Sequence, residues 1–215
     1  MLSLDIERGP TGPHPSNRID DQNEGMTSPA REQLLDTAVR LFYEHGCTAT
    51  GIDRLLAESG VAKMTLYKNF GSKDNLILAA AQRMRDQHHA RMKAYIEARA
   101  NTPSGKIIAL FDFIEDWISG GDFHGCPFIN VATEFGDLEH PAHRAAALYK
   151  REQRDYFLLL AVEAGIAEPE EFVDKLALLI EGAVVLSHVR GDRKSIKIAR
   201  GMAQDLLDEY LGSAD

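Results

Sequence analysis

Apolar residues first recur at steps of three and four from Leu34, and Leu34, Leu35, Ala38, Leu41 and Phe42 fall on one helical face. Ser28 is placed to cap this helix, Pro29 suits its first position, and Gly46 marks its end. Thr50 and Asp53 have capping-box spacing, with Asp standing in for Glu, and open a second, short helix that Gly60 ends. A third helix is predicted from about residue 62 to 70. Ser72 caps a fourth that reaches about Arg99, with Leu76, Ile77, Ala80, Met84, His88, Met92 and Ile96 on one stripe. Asn101-Thr102-Pro103 breaks the period. Further helices are predicted over 104–119, from Pro127 to Phe135, from His140-Pro141 to near Gly165, from Glu168-Pro169 to about Val189, and over 194–211. No stretch shows convincing period-two alternation, so the fold class is all-α, with about nine helices.

One of these helices breaks the rule that a short helix buries what it can. In residues 62–70 only Leu66 and Phe70 face inward, four apart. Lys63, Met64, Thr65, Tyr67, Lys68 and Asn69 are left outside. Lysine can contact guanine or phosphate, asparagine can pair with adenine, and threonine can meet a base edge or a thymine methyl. Tyr67 can donate to a phosphate while its ring packs on sugar. Lys73 lies in the first turn of the next helix, where the dipole disfavours a cation, so a phosphate partner would explain it. The alternative is a solvated polar face. The Gly60 turn and the flanking capped helices favour a helix-turn-helix.

Net charge is −9, which argues against a wholly basic nucleic-acid binder. The charge is uneven. Residues 1–25 carry −3, residues 26–75 are neutral, and residues 76–215 carry −6. A DNA reader needs only a local basic face, because counterion release depends on the phosphates contacted. Residues 1–25 hold three Pro and three Gly with no helical period, and a disordered tail is expected there. No apolar run is long enough to span a membrane and no signal pattern opens the chain, so a cytoplasmic protein with no membrane partner is expected.

Residues 28–76 resemble the DNA-binding domain of the tetracycline-repressor (TetR) family of bacterial regulators. The resemblance rests on Ala38, Leu41, Phe42 and Gly46, on Thr50, and on Gly60-Val61. It continues through Thr65-Leu66-Tyr67, Phe70 and Lys73-Asp74-Asn75-Leu76. Leu56 departs from it, standing where the family usually has Ala. The resemblance implies that the third helix enters the major groove of a double-stranded DNA operator. Carried over by position, Lys63, Met64, Thr65, Lys68 and Asn69 face bases, while Thr50, Tyr67 and Lys73 hold phosphates. It also implies three parts: a tail at 1–25, a DNA-binding domain at 26–75, and an effector-binding and dimerisation domain at 76–215. The function it implies is a ligand-responsive transcriptional repressor.

Between Leu176 and Leu186 only Glu181 is neither apolar nor Gly. Such a helix must be covered on nearly all sides. With Ile198, Met202, Ala203, Leu206 and Tyr210 on the last helix, it suggests a homodimer through a four-helix bundle. Leu179, Gly182, Ala183, Leu186, Met202 and Leu206 are the expected interface. Most aromatics lie in the fifth to seventh helices, as core or as the wall of a small-molecule effector pocket. Phe113, Trp117, Cys126, Phe128, Asn130, Glu134, Tyr149 and Tyr156 are its candidate lining. Residues 124–130 resemble a GCPF-type segment found in one subset of these regulators.

No P-loop, GxGxxG, GxSxG or HExxH occurs, and no catalytic residue, cofactor or metal is expected. A redox or metal sensor on the same scaffold is the alternative. It would use Cys126 at a helix start, or His140 and His143 at i, i+3.

Overall fold

The structure, a computed structural model, describes residues 28–212. The tail expected at 1–25 lies outside them. Among the described residues there are nine helices and no strand. They are α1 (Pro29–His45), α2 (Ile52–Ser59), α3 (Lys63–Phe70), α4 (Lys73–Arg99), α5 (Pro103–Ser119), α6 (Pro127–Glu134), α7 (Pro141–Glu163), α8 (Pro169–Arg190) and α9 (Lys194–Gly212).

Local chemistry explains the boundaries. Proline opens α1, α5, α6, α7 and α8, where its missing N–H is no loss. Side-chain oxygens of Ser28, Ser72 and Thr102 accept from Arg31 N, Asn75 N and Gly105 N, capping α1, α4 and α5. Gly60 closes α2 in the left-handed region at φ 65°, where a side chain would be strained. One expectation fails here. The N-cap of α2 is Gly51 and no side chain caps it, because Thr50 points into the core instead of forming a capping box with Asp53.

The long helix α4 joins the two parts of the molecule. Its N-terminal end packs on α1 and α3, and the rest runs along α5 and α7. Arg83 fixes the first junction by pairing with Asp36 at 3.0 Å and with Glu32. At the centre of the larger part, α5 touches α4, α7, α8 and α9. Its buried face includes Ile107, Leu110 and Phe111, all fully enclosed. The short α6 lies on α7, and α8 pairs with α9. No helix among the described residues is long and apolar enough to cross a membrane.

Candidate nucleic-acid interface and effector cavity

The eight residues of α3 are anchored by buried Leu66 and Phe70, and Arg31 of α1 covers the Phe70 ring at 5.0 Å. Asn75 of α4 donates to Phe70 O at 2.8 Å and holds the end of the helix. Lys63, Met64, Tyr67 and Lys68 point into solvent. Met64 is 79% exposed, an apolar side chain free to meet a thymine methyl. Two acidic groups of α1 and α2 are already engaged. Glu58 binds Arg40 at 2.6 Å and Arg54 at 2.8 Å, and Glu44 binds Arg40 at 3.2 Å. Among the described residues neither Lys63 nor Lys68 has an acidic partner within ion-pair distance.

Three of the expected contacts look different in the structure. Thr50 is 0% exposed, and its hydroxyl donates to Gly46 O at 2.7 Å. Its side chain therefore holds the turn between α1 and α2 and cannot reach a phosphate. Asn69 turns its Nδ2 back onto Thr65 O at 2.7 Å, so a bidentate grip on adenine needs that bond to open. Lys73 donates to Thr48 O at 3.3 Å, which places it beside the α1–α2 turn. Thr65 is half-buried at the edge of the outward face.

Glu134, expected in an effector pocket, instead reaches the turn between α1 and α2. Its carboxylate accepts from Cys47 N at 3.0 Å, Thr48 N at 2.7 Å and Thr48 Oγ1 at 2.8 Å. Burial alone would raise the Glu134 carboxyl. The Thr48 and Cys47 amides, the Thr48 hydroxyl and the Lys73 charge outweigh it and hold the group below its ordinary value. Gly46 sits at φ 86°, and a Cβ there would lie 3.0 Å from Glu134 Oε1. A second stitch lies nearby. Tyr43 Oη of α1 donates to Gly125 O and accepts from His124 N, each at 3.0 Å.

The start of α6 lines a small interior void of about 20 Å³, together with His88, Trp117, Cys126 and Tyr149. Phe128 stacks on Tyr149 with centroids 3.6 Å apart, and the Tyr149 hydroxyl meets His88 Nδ1 at 2.8 Å. Burial, then the charges of His89, Lys150 and Arg91, push His88 down to about 4, so the ring is neutral at pH 7. Burial likewise keeps Tyr149 a phenol. Of the expected pocket residues, Trp117, Cys126, Phe128 and Tyr149 line this void. Phe113 packs behind it against His88 at 5.4 Å. Asn130 is spent on His124 O at 2.9 Å, and Tyr156 lines a different groove between α4 and α7.

His88, Lys150, Gln153 and Glu181 also border the void and were not predicted there. Two signals were available: a histidine on an apolar stripe, and the lone acid in the apolar run of the eighth helix. Cys126 is buried, and so is Cys47, whose thiol burial and then Glu134 push up to about 12. His140 Nδ1 accepts from Ala142 N at 3.2 Å, and His143 Nδ1 donates to Phe135 O at 2.8 Å. Among the described residues no group of three or more His, Cys, Asp or Glu is gathered for a metal.

On α8 and α9 an apolar face lies open. Leu178 is 76% and Val189 74% exposed, with Val185, Leu186, Ile198 and Met202 beside them. Gly182 is exposed, while Leu179 and Leu206 are half-buried at the margin. Ala183 departs from its expected place. It is buried in its own chain's core, because it lies on the opposite side of α8 from the open face.

Fold and site together define a helix-turn-helix transcriptional regulator. Residues 34–80 match the family model described as bacterial regulatory proteins, tetR family. A TetR-family transcriptional regulator from Streptomyces coelicolor has a solved structure similar to this one. Its TM-score is 0.80 at 30% identity, covering 85% of this chain and 96% of that one. The HTH-type transcriptional regulator LmrA of Bacillus subtilis (strain 168) is 26% identical over 161 residues, 74% of this chain and 86% of its own. The HTH-type transcriptional repressor ComR of Escherichia coli (strain K12) is 28% identical over 126 residues, 56% of this chain and 60% of its own. The chain belongs to the TetR family. Its relatives are transcriptional regulators and not enzymes.

Lys63→Ala and Lys68→Ala are each expected to weaken operator binding by about 1–3 kcal/mol, and the pair to flatten its salt dependence. Fluorescence anisotropy across a salt series measures both. Thr50→Val should leave the salt slope unchanged and lower unfolding stability by about 1–2 kcal/mol.

The low His88 value sets a pH dependence with a definite sign. Between its unfolded value near 6.5 and about 4 the unfolded chain binds more protons, so acidification destabilises the fold. The full loss is up to about 3 kcal/mol. His88→Gln should remove this part of the dependence in denaturant titrations between pH 7 and pH 4.

Proposed function

We propose that the chain is a cytoplasmic homodimeric repressor that binds a palindromic operator and leaves it when a small molecule enters the helical domain. The observation that carries the DNA half is the outward face of α3, with Lys63, Met64, Tyr67 and Lys68 exposed on a helix anchored by only two buried side chains. Lys73, already beside the α1–α2 turn, adds a phosphate contact at the start of α4. The dimer half is supported by the open face of α8 and α9, which a second copy would cover as a four-helix bundle. Two copies related by a twofold axis present two reading helices to half-sites spaced by whole helical turns.

The effector half follows from α6, whose two ends do different work. Phe128 at one end closes the void against Tyr149, and Glu134 at the other holds the α1–α2 turn. A ligand that parts Phe128 from Tyr149 displaces α6 and draws Glu134 away from Cys47 and Thr48. The reading unit then reorients relative to its twofold mate. A coupling free energy of about 2–3 kcal/mol releases an operator appreciably.

A footprint on the DNA upstream of its own gene tests the whole reading, and no protected site there would refute it. Two outcomes test its parts. In Glu134→Ala the Cys47 and Thr48 amides should lose hydrogen-exchange protection by about tenfold or more, as expected for loss of a charge-assisted bond. Amides of α8 should be unchanged. Leu178→Glu with Val189→Glu should convert dimer to monomer in sedimentation velocity and weaken operator binding at least tenfold, since both half-sites are no longer held together.

A further inference from the structure

A second space adjoins the interior void. A groove of about 380 Å³ opens between α7 and α8, walled by Ile129, Phe157, Val173, Ala177 and Ile180. At its floor Lys150 of α7 donates to Glu181 of α8. Lys150, Gln153, Ile180 and Glu181 border both the groove and the void, so this ion pair stands between the two.

The pair is incomplete. Glu181 Oε1 takes the Lys150 ammonium, whereas Glu181 Oε2 is shut off from solvent and has no hydrogen-bond partner among the described residues. A carboxylate oxygen in that state is costly unless a donor reaches it. The void of about 20 Å³ beside it admits a group of roughly the size of a water molecule. Its walls include the rings of Trp117, Phe128 and Tyr149, and the Lys150 ammonium and Glu181 carboxylate both border it. Next to this head-sized void, with the unpartnered Glu181 oxygen at its edge, lies a much larger and mainly apolar groove.

We propose that the groove binds an amphipathic primary amine, its apolar body along α7 and α8 and its ammonium in the void, donating to Glu181 Oε2. This rests on the reading that the helical domain takes a small effector, and it names the chemical class. A primary ammonium is favoured over a neutral donor because a hydrogen bond between two charged groups is stronger. A quaternary head is excluded by the size of the void and has no N–H to donate.

Octylamine, octanol, octanoate and octyltrimethylammonium share one apolar body and differ only in the head. Calorimetric titration of the full chain with each, below micelle-forming concentrations, reads affinity. Trp117, the only tryptophan in the chain, reports arrival at the void by its fluorescence. Octylamine should bind at least tenfold more tightly than the other three and shift the Trp117 emission. Glu181→Gln should weaken octylamine at least tenfold and turn the preference toward octanoate, because Lys150 is then unpaired. Lys150→Gln should retain octylamine. A merely structural ion pair would not reverse the preferred charge.

Equal binding of octylamine and octanol overturns the proposal, as does tighter octanoate, equal octyltrimethylammonium, or no binding at all. So does octylamine binding that appears only on dilution to monomer, which would mean that a second copy fills the groove. Circular dichroism checks that the variants fold, and the wild-type head series decides alone if one does not. The operator footprint is measured separately without any ligand. A footprint that persists while octylamine fails to bind removes the ligand class and leaves the DNA-reading function standing.

Discussion

A helix of eight residues is marginal in water on its own, because so few hydrogen bonds must offset the cost of nucleation. The reading helix α3 therefore takes its shape from outside itself. Leu66 and Phe70 seat it on α1, the Gly60 turn aims it, and Asn75 ties down its last turn. Because anchoring uses just two buried side chains, four of the eight residues of α3 stay exposed. The rest of the structure serves to hold this small unit in place, and the cost falls on the neighbouring helices.

That dependence explains the unusual position of Glu134. The turn between α1 and α2 exposes backbone N–H groups that no helix satisfies, and a carboxylate from the other part of the molecule satisfies them. Lys73 supports the same turn from the start of α4, and Thr50 braces it from within. Three ordinary hydrogen-bonding groups thus converge on a few backbone atoms. The turn is where the geometry of the helical domain and that of the reading unit meet.

The fold was legible in the sequence because its signals are local. Prolines at first helical positions, Ser and Thr caps, and glycine stops act within a few residues, so they mark boundaries wherever the helices later pack. The outward face of α3 was legible for a related reason, since apolar spacing alone separates Leu66 and Phe70 from the residues between them. Several of the failures depend on distant partners. Glu134 meets residues 86 and 87 positions away, and Tyr149 meets His88 from 61 positions away. Ala183 and Gly182 are adjacent, yet one faces the core and the other solvent. Composition could not separate them, because the apolar run of α8 is apolar on both sides. Thr50 misled because a threonine before a helix looks the same whether its hydroxyl caps the helix or turns inward.

The uneven charge has a consequence for how the protein finds its target. Residues 26–75 are neutral, between a stretch of −3 at residues 1–25 and one of −6 at residues 76–215. On the proposed reading, the field of a duplex would push the acidic residues away and draw in Lys63 and Lys68, which lack acidic partners among the described residues. The resulting torque would turn the α3 face toward the duplex. Such repulsion would disfavour encounters in the wrong orientation, and an overall acidic protein would be selective in its angle of approach.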